Sequence, residues 1–144
     1  MVYLTRRYRF SAGHRLHNET VTAEENRRIY GKCNNPNGHG HNYVLEVTVA
    51  GTVDALTGMV CDLAVLDGIV EKAVLEPLDH KNLNLDVKAF RHRVPTTENL
   101  SIEIFESLRK MLEAQGCRAR LARVRLEETE SNFFEYEGAR SLAD

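Results

Sequence analysis

The chain has 144 residues, 42 % of them hydrophobic and 28 % charged, with a formal net charge of −2. That length and balance predict a single soluble domain over residues 1–144 with its own buried core. The small net charge and the lack of a long basic run exclude a nucleic-acid footprint, and no apolar stretch reaches the roughly 18 residues a membrane helix needs.

The opening segment MVYLTRRYRFSAG carries arginines but no apolar run, so it does not read as a secretion signal, and a cytoplasmic location is expected. Residues 2–10 are strand-like, with aromatic and β-branched residues among the arginines. Residues 18–38 form a long polar excursion with a short helix near Ala23–Tyr30 and a turn-rich end. Residues 41–50 alternate, with Tyr43, Leu45, Val47 and Val49 on one face and Glu46 and Thr48 on the other. A turn over Val53–Gly58 precedes Asp62, a good N-cap for a helix whose stripe is Leu63, Leu66, Val70 and Val74, ending near Pro77. Thr96 or Thr97 caps a second helix striped by Leu100, Ile104, Leu108 and Met111, with Gly116 just past its end. Strands near 120–128 and 132–137 close the chain. The order strand, strand, helix, helix, strand, strand predicts an α+β layer, with helices covering one face of an antiparallel sheet.

Three short stretches carry chemistry. In HGHNY, His39 and His41 are two residues apart, so on an extended chain both rings point to one side with Cα atoms roughly 7 Å apart. Imidazoles at that spacing can converge on one metal, and His14, following a strand in FSAGHRLH, offers a third nitrogen. Three neutral imidazoles with an open fourth position is the pattern of a catalytic zinc. His17 is a rival ligand on a short loop, and His92 sits among arginines as a surface residue.

The second stretch, GKCNNPNG, puts Cys33 in a polar, turn-rich loop. A free cysteine is usually buried and inert, which suits Cys61 and Cys117 but not Cys33. Too few cysteines are present for a disulfide framework, and reduced thiols are expected. Cys33 is either a fourth metal ligand that closes the site or a thiolate base beside it. In the third stretch, PLDHKNLN, Asp79 adjoins His80; a turn conformation would let the carboxylate orient the ring.

FSAGHRLH, GKCNNPNGHGHNY, PLDHKNLNLDV, PTTENL and EETESN occur in this order. Together they resemble the 6-pyruvoyltetrahydropterin synthase family, and the Cys-x5-His-Gly-His spacing is similar to its animal-type branch. The resemblance runs from about Arg7 to Gly138. It implies the tunnelling fold: four antiparallel strands with two helices on one face, trimers closing a barrel, and two trimers forming a homohexamer. It implies zinc on His14, His39 and His41, Cys33 as the catalytic cysteine, and Asp79 with His80 completing a proton relay from a neighbouring subunit. It further implies Glu128 as the pterin anchor, with Glu127 as its register rival, and Thr96 and Thr97 as pocket residues.

The substrate so implied is 7,8-dihydroneopterin triphosphate. A carboxylate at the end of the row Ala122, Val124, Leu126, Glu128 can accept two hydrogen bonds from a pterin edge. Arg15, Lys32 and Lys81 are candidates for the triphosphate, with magnesium as a possible helper. No Gly-x-Gly-x-x-Gly or Walker motif occurs, in keeping with chemistry that needs no nicotinamide or flavin. Three readings stand at this point: a lyase making 6-pyruvoyltetrahydropterin for tetrahydrobiopterin synthesis, a 6-carboxytetrahydropterin synthase of 7-deazaguanine (queuosine) synthesis, and a non-catalytic zinc module closed by Cys33.

Overall fold

The computed structural model describes residues 1–140; residues 141–144 of the expected domain lie outside the described residues. Strand β1 (Val2–His14) and strand β2 (His39–Gly51) pair antiparallel along their whole lengths, from Val2 opposite Gly51 to His14 opposite His39. Both run further than the alternation alone predicts. Their polar ends stay in the ladder, with Gly13 facing Gly40.

The intervening excursion is ordered by short polar ties. Helix α1 (Ala23–Tyr30) is capped by Thr22, whose hydroxyl accepts from Glu25 N at 3.1 Å. Asn26, fully buried, holds Asn18 through both its amide atoms at 2.8 and 2.9 Å. A 3₁₀ turn over Gly31–Asn34 follows and carries Cys33.

Helix α2 (Leu63–Val70) starts at Asp62, whose carboxylate accepts from Ala64 N at 2.8 Å. It runs on through a π-helical turn, Glu71–Leu75, into α3 (Glu76–Leu78). Leu66, Val70 and Val74 are buried as predicted, but Leu63 is 40 % exposed and Ile69 joins the stripe instead. Leu63 has the right angular position, three residues before Leu66, yet it sits in the first turn at the rim of the packed face. Strand β3 (Lys81–Asn82), α4 (Leu83–Asp86) and a 3₁₀ turn at Lys88–Phe90 lead to helix α5 (Thr97–Ala114). Its buried residues include Leu100, Ile104, Phe105, Leu108 and Leu112, while Met111 is only partly covered. Gly116 (φ 65°) ends α5 in the left-handed conformation that favours glycine.

Strand β4 (Arg120–Thr129) pairs with the free side of β2, and β5 (Asn132–Tyr136) with β4, giving the order β3-β1-β2-β4-β5. The four long strands are antiparallel, as predicted; β3 adds a two-residue parallel strand opposite Ala12 and Gly13. Two residues are too few to carry an alternation signal, which is why the sequence reading has no β3. Thr48 faces Arg123 but Val49 faces Leu121, so Ala122 is an extra residue in a bulge. Leu121, not Ala122, therefore starts the buried row that continues through Val124 and Leu126. The helices cover Tyr43, Leu45, Val47, Val49, Val124 and Leu126, all fully buried, and each such apolar side chain contributes about 1.5–3 kcal/mol. Among the described residues no helix is long and apolar enough to cross a membrane.

Candidate active site

The antiparallel register places His14 directly opposite His39, and the strand period puts His41 on the same side. The three rings gather at the end of the β1–β2 ladder, each offering a ligand nitrogen within 4.8 Å of the other two. His14 is 1 % exposed, and its Nδ1 lies 2.8 Å from the Pro95 carbonyl. A carbonyl only accepts, so the proton is on Nδ1 and the Nε2 lone pair faces His39 Nε2, 3.0 Å away. His41 Nε2 is buried without any hydrogen-bond partner. Such an orphan costs about 1–3 kcal/mol unless something fills the space beside it.

Burial, first of all, pushes the pKa of His14 and His41 below the ordinary histidine value. His41 Nε2 is 3.5 Å from Glu128 Oε1, beyond hydrogen-bonding reach. Three ring nitrogens converging on one point fit a divalent metal, and an all-imidazole set suits zinc. His17, the rival ligand, is outside the group; its Nδ1 meets Asn34 Nδ2 at 3.0 Å.

Backbone shape holds this end of the ladder closed. Gly38 has φ 72°, and a Cβ there would stand 2.9 Å from the His14 carbonyl oxygen. Asn84 clamps the next residue from both sides, accepting from Arg15 N and donating to Arg15 O at 2.8 Å each. The Cys33 turn docks on the same segment: Leu16 N donates to the Cys33 carbonyl at 2.9 Å, and Asn34 Nδ2 to the Leu16 carbonyl at 2.8 Å. Cys33 is half-buried and is not a member of the three-histidine group. The sequence reading missed Asn34 and Asn84; paired asparagines in a loop are a weak signal because they serve turns equally well.

Glu128 sits where β4 bulges again, between the Glu127–Phe133 and Thr129–Asn132 pairs. Thr97 Oγ1 donates to Glu128 Oε2, while Thr96 is occupied as the α5 cap, accepting from Asn99 N at 3.2 Å. The two threonines thus divide the work of capping and of touching the carboxylate. Glu127 stands in regular register opposite Val44. Tyr43, fully buried, stacks on Phe10 with centroids 5.0 Å apart, and its hydroxyl has no partner. Burial and then the charge of Glu128 push its pKa up. The alternation of β2 places Tyr43 in the core, and a buried tyrosine also brings a hydroxyl needing a partner.

Asp79 and His80 are not members of the three-histidine group and lie at the edge of β1. Asp79 Oδ1 accepts from Ser11 N at 2.9 Å and lies 3.0 Å from His80 Nδ1. His80 takes the left-handed conformation (φ 61°), the turn that lets the neighbouring carboxylate reach its ring. The Ser11 N–H, before the His80 ring, holds the Asp79 carboxyl below its ordinary pKa. The His80 side chain is 82 % exposed. Arg15 lines a cavity of about 470 Å³ with His17, Gly38, Arg91 and Arg93, beside the His14–His39 end of the sheet. Lys81 lines a second, of about 310 Å³, together with His41 and His80, and Lys32 is exposed.

The sequence pattern described as 6-pyruvoyl tetrahydropterin synthase matches residues 3–139. The chain is 48 % identical over 135 residues to the human 6-pyruvoyl tetrahydrobiopterin synthase, covering 94 % of this chain and 90 % of that protein. It is 46 % identical over 137 residues to the Dictyostelium discoideum protein of the same name, covering 95 % and 96 %. The solved structure of Caenorhabditis elegans 6-pyruvoyl tetrahydropterin synthase superposes with a TM-score of 0.89 at 44 % identity, covering 96 % of each chain. By pattern, by relatives and by fold, the chain belongs to the 6-pyruvoyl tetrahydropterin synthase family.

Proposed function

We propose that this chain is a zinc-dependent carbon–oxygen lyase, one pterin synthase domain, that converts 7,8-dihydroneopterin triphosphate to 6-pyruvoyltetrahydropterin and releases triphosphate. The observation that carries the reading is the buried His41 Nε2, without a hydrogen bond, beside two further imidazoles and 3.5 Å from the Glu128 carboxylate that Thr97 holds. His14, His39 and His41 hold the metal; zinc, when bound, supplies Lewis-acid polarisation of substrate oxygens.

The remaining roles fall to the chain's own side chains. Glu128, oriented by Thr97, accepts hydrogen bonds from the amino and ring N–H edge of the pterin, a charge-assisted pair that fixes the ring. Thr96, whose hydroxyl caps α5, lines the pterin pocket beside Thr97. Cys33, as thiolate, takes a carbon-bound proton from the side chain. His80, oriented by Asp79, carries a second proton. Its exposure on this chain suits service to the site of a neighbouring subunit in a homohexamer whose sheets close a barrel. Arg15 faces the triphosphate, with Lys32, Lys81 and magnesium as further countercharge. Electrons pass from the side chain into the ring as triphosphate leaves, so the redox change is internal to the substrate. We assign the enzyme to the cytoplasm, without nucleic-acid or membrane partners.

The test is product mass from purified protein, zinc and 7,8-dihydroneopterin triphosphate. Formation of 6-pyruvoyltetrahydropterin and free triphosphate is expected; 6-carboxytetrahydropterin with a two-carbon aldehyde, or no turnover with zinc bound, overturns the reading.

A further inference from the structure

Cys61 and Cys117 are far apart in sequence and serve no part of the site described above. Cys61 precedes the Asp62 cap of α2, and Cys117 follows the left-handed Gly116 that ends α5. The fold brings their Sγ atoms to 3.8 Å. That is van der Waals contact, and side-chain rotation alone moves a sulfur by more than the gap to a bond of about 2.05 Å. The two thiols differ in access. Cys61 is 9 % exposed and belongs to the core, whereas Cys117 is half-buried. Cys117 also lines a surface hollow of about 230 Å³ with Arg109, Arg118 and Arg120.

We propose that Cys61 and Cys117 are a redox-active dithiol that takes a low-molecular-weight disulfide as oxidant and closes to an intramolecular disulfide. The Cys117 thiolate attacks one sulfur of the small disulfide, forming a mixed disulfide and expelling one thiolate. The Cys61 thiolate then attacks the Cys117 sulfur and expels the second. Two protein thiols are oxidised, the small disulfide is reduced to two thiols, and the two protein protons go to the departing thiolates. The order follows from access: the hollow admits the reagent to Cys117, while Cys61 reaches only its neighbour. Burial, then Cys117, pushes the Cys61 thiol up to about 11, which suits a resolving rather than an attacking group. Closure ties the start of α2 to the end of α5 and so brackets every residue between them, Asp79, His80 and Thr97 included.

The full-length protein is incubated with oxidised glutathione and read by intact mass, by non-reducing peptide mapping and by thermal melting. The expected result is loss of two hydrogen masses, a single Cys61–Cys117 cross-link, and a thermal midpoint raised on the order of 10 °C. Cys61→Ser should stop at one glutathione on Cys117, Cys117→Ser should take none on Cys61, and Cys33→Ala should still close. If Cys61→Ser does not fold, Cys117→Ser carries the test. Glutathione retained on wild-type Cys117, a cross-link that includes Cys33, or no cross-link at all would overturn the proposal.

Discussion

His14 gives its Nδ1 proton to the Pro95 carbonyl at 2.8 Å, and that one bond decides which nitrogen the ring presents to the site. Pro95 immediately precedes the Thr96 cap of α5, so the helix start that supplies Thr97 to Glu128 also sets the tautomer of one of the three clustered histidines. The three-histidine group and the Glu128–Thr97 pair thus share one short segment.

Removing a ligand tests the metal site directly. His41→Ala should lower the zinc content of purified protein at least about tenfold, since two remaining nitrogens make a poor site. The fold should persist, because His41 stands at the end of the ladder. Elemental analysis with circular dichroism checks both; full zinc occupancy in the variant would refute the three-histidine set.

Cys33 separates two chemistries. Cys33→Ala should retain zinc and thermal stability while turnover falls by about 10²–10⁴-fold, the usual cost of losing a positioned base. Zinc loss with collapse of the fold would instead assign Cys33 to the coordination shell. Single-turnover assays beside metal analysis distinguish the two.

Glu128→Gln keeps the shape but removes the charge that the proposed function assigns to the pterin edge. Substrate affinity should drop by about 10–100-fold, the worth of a charge-assisted pair, with zinc occupancy unchanged. Fluorescence titration with a pterin measures it, and an unaltered affinity would move the anchor to Glu127.

Gly38→Ala should destabilise the protein by about 1–3 kcal/mol. Gly38 needs its left-handed backbone, and the added methyl would meet the His14 carbonyl oxygen at 2.9 Å. Urea unfolding reads the loss. A parallel fall in zinc affinity is expected, because the collision pushes on the chain between two ligands.

Asp67 predicts a pH dependence. It accepts from Arg6 at 3.0 and 2.9 Å and from the Tyr8 hydroxyl at 2.7 Å, which hold its folded pKa below the ordinary 3.8. A depressed carboxylate pKa stabilises the fold fully above the unfolded value and loses that contribution as pH falls through the folded value. Asp67→Asn should therefore melt below wild type at pH 6, with the difference shrinking in acid below pH 3.8. A difference that grows in acid would contradict the sign.

Much of this was legible in the sequence because it depends on spacing. The caps at Asp62 and Thr96, the alternation of β2 and the pairing of His39 with His41 each need only a few adjacent residues. The missed features depend on partners far along the chain. Nothing in LARVRLEE marks Ala122 as a bulge, which appears only when Thr48 and Val49 take their places opposite. Strand β3 exists because His80 N donates to the Ser11 carbonyl at 2.6 Å, a bond between segments far apart in sequence. The partnerless Tyr43 hydroxyl is likewise visible only once Glu128 and Thr97 arrive.

The facing of His14 and His39 has a consequence for how such proteins can change. The stretch from 15 to 38 leaves and rejoins the sheet at two partnered positions, so its ends are fixed by the ladder and not by its own length. Doubling a loop costs only about 0.6 kcal/mol in closure entropy. Insertions or deletions there can shift the turn that carries Cys33 while the His14–His39 pairing stays whole, so the loop can drift among descendants that share one unaltered set of imidazoles.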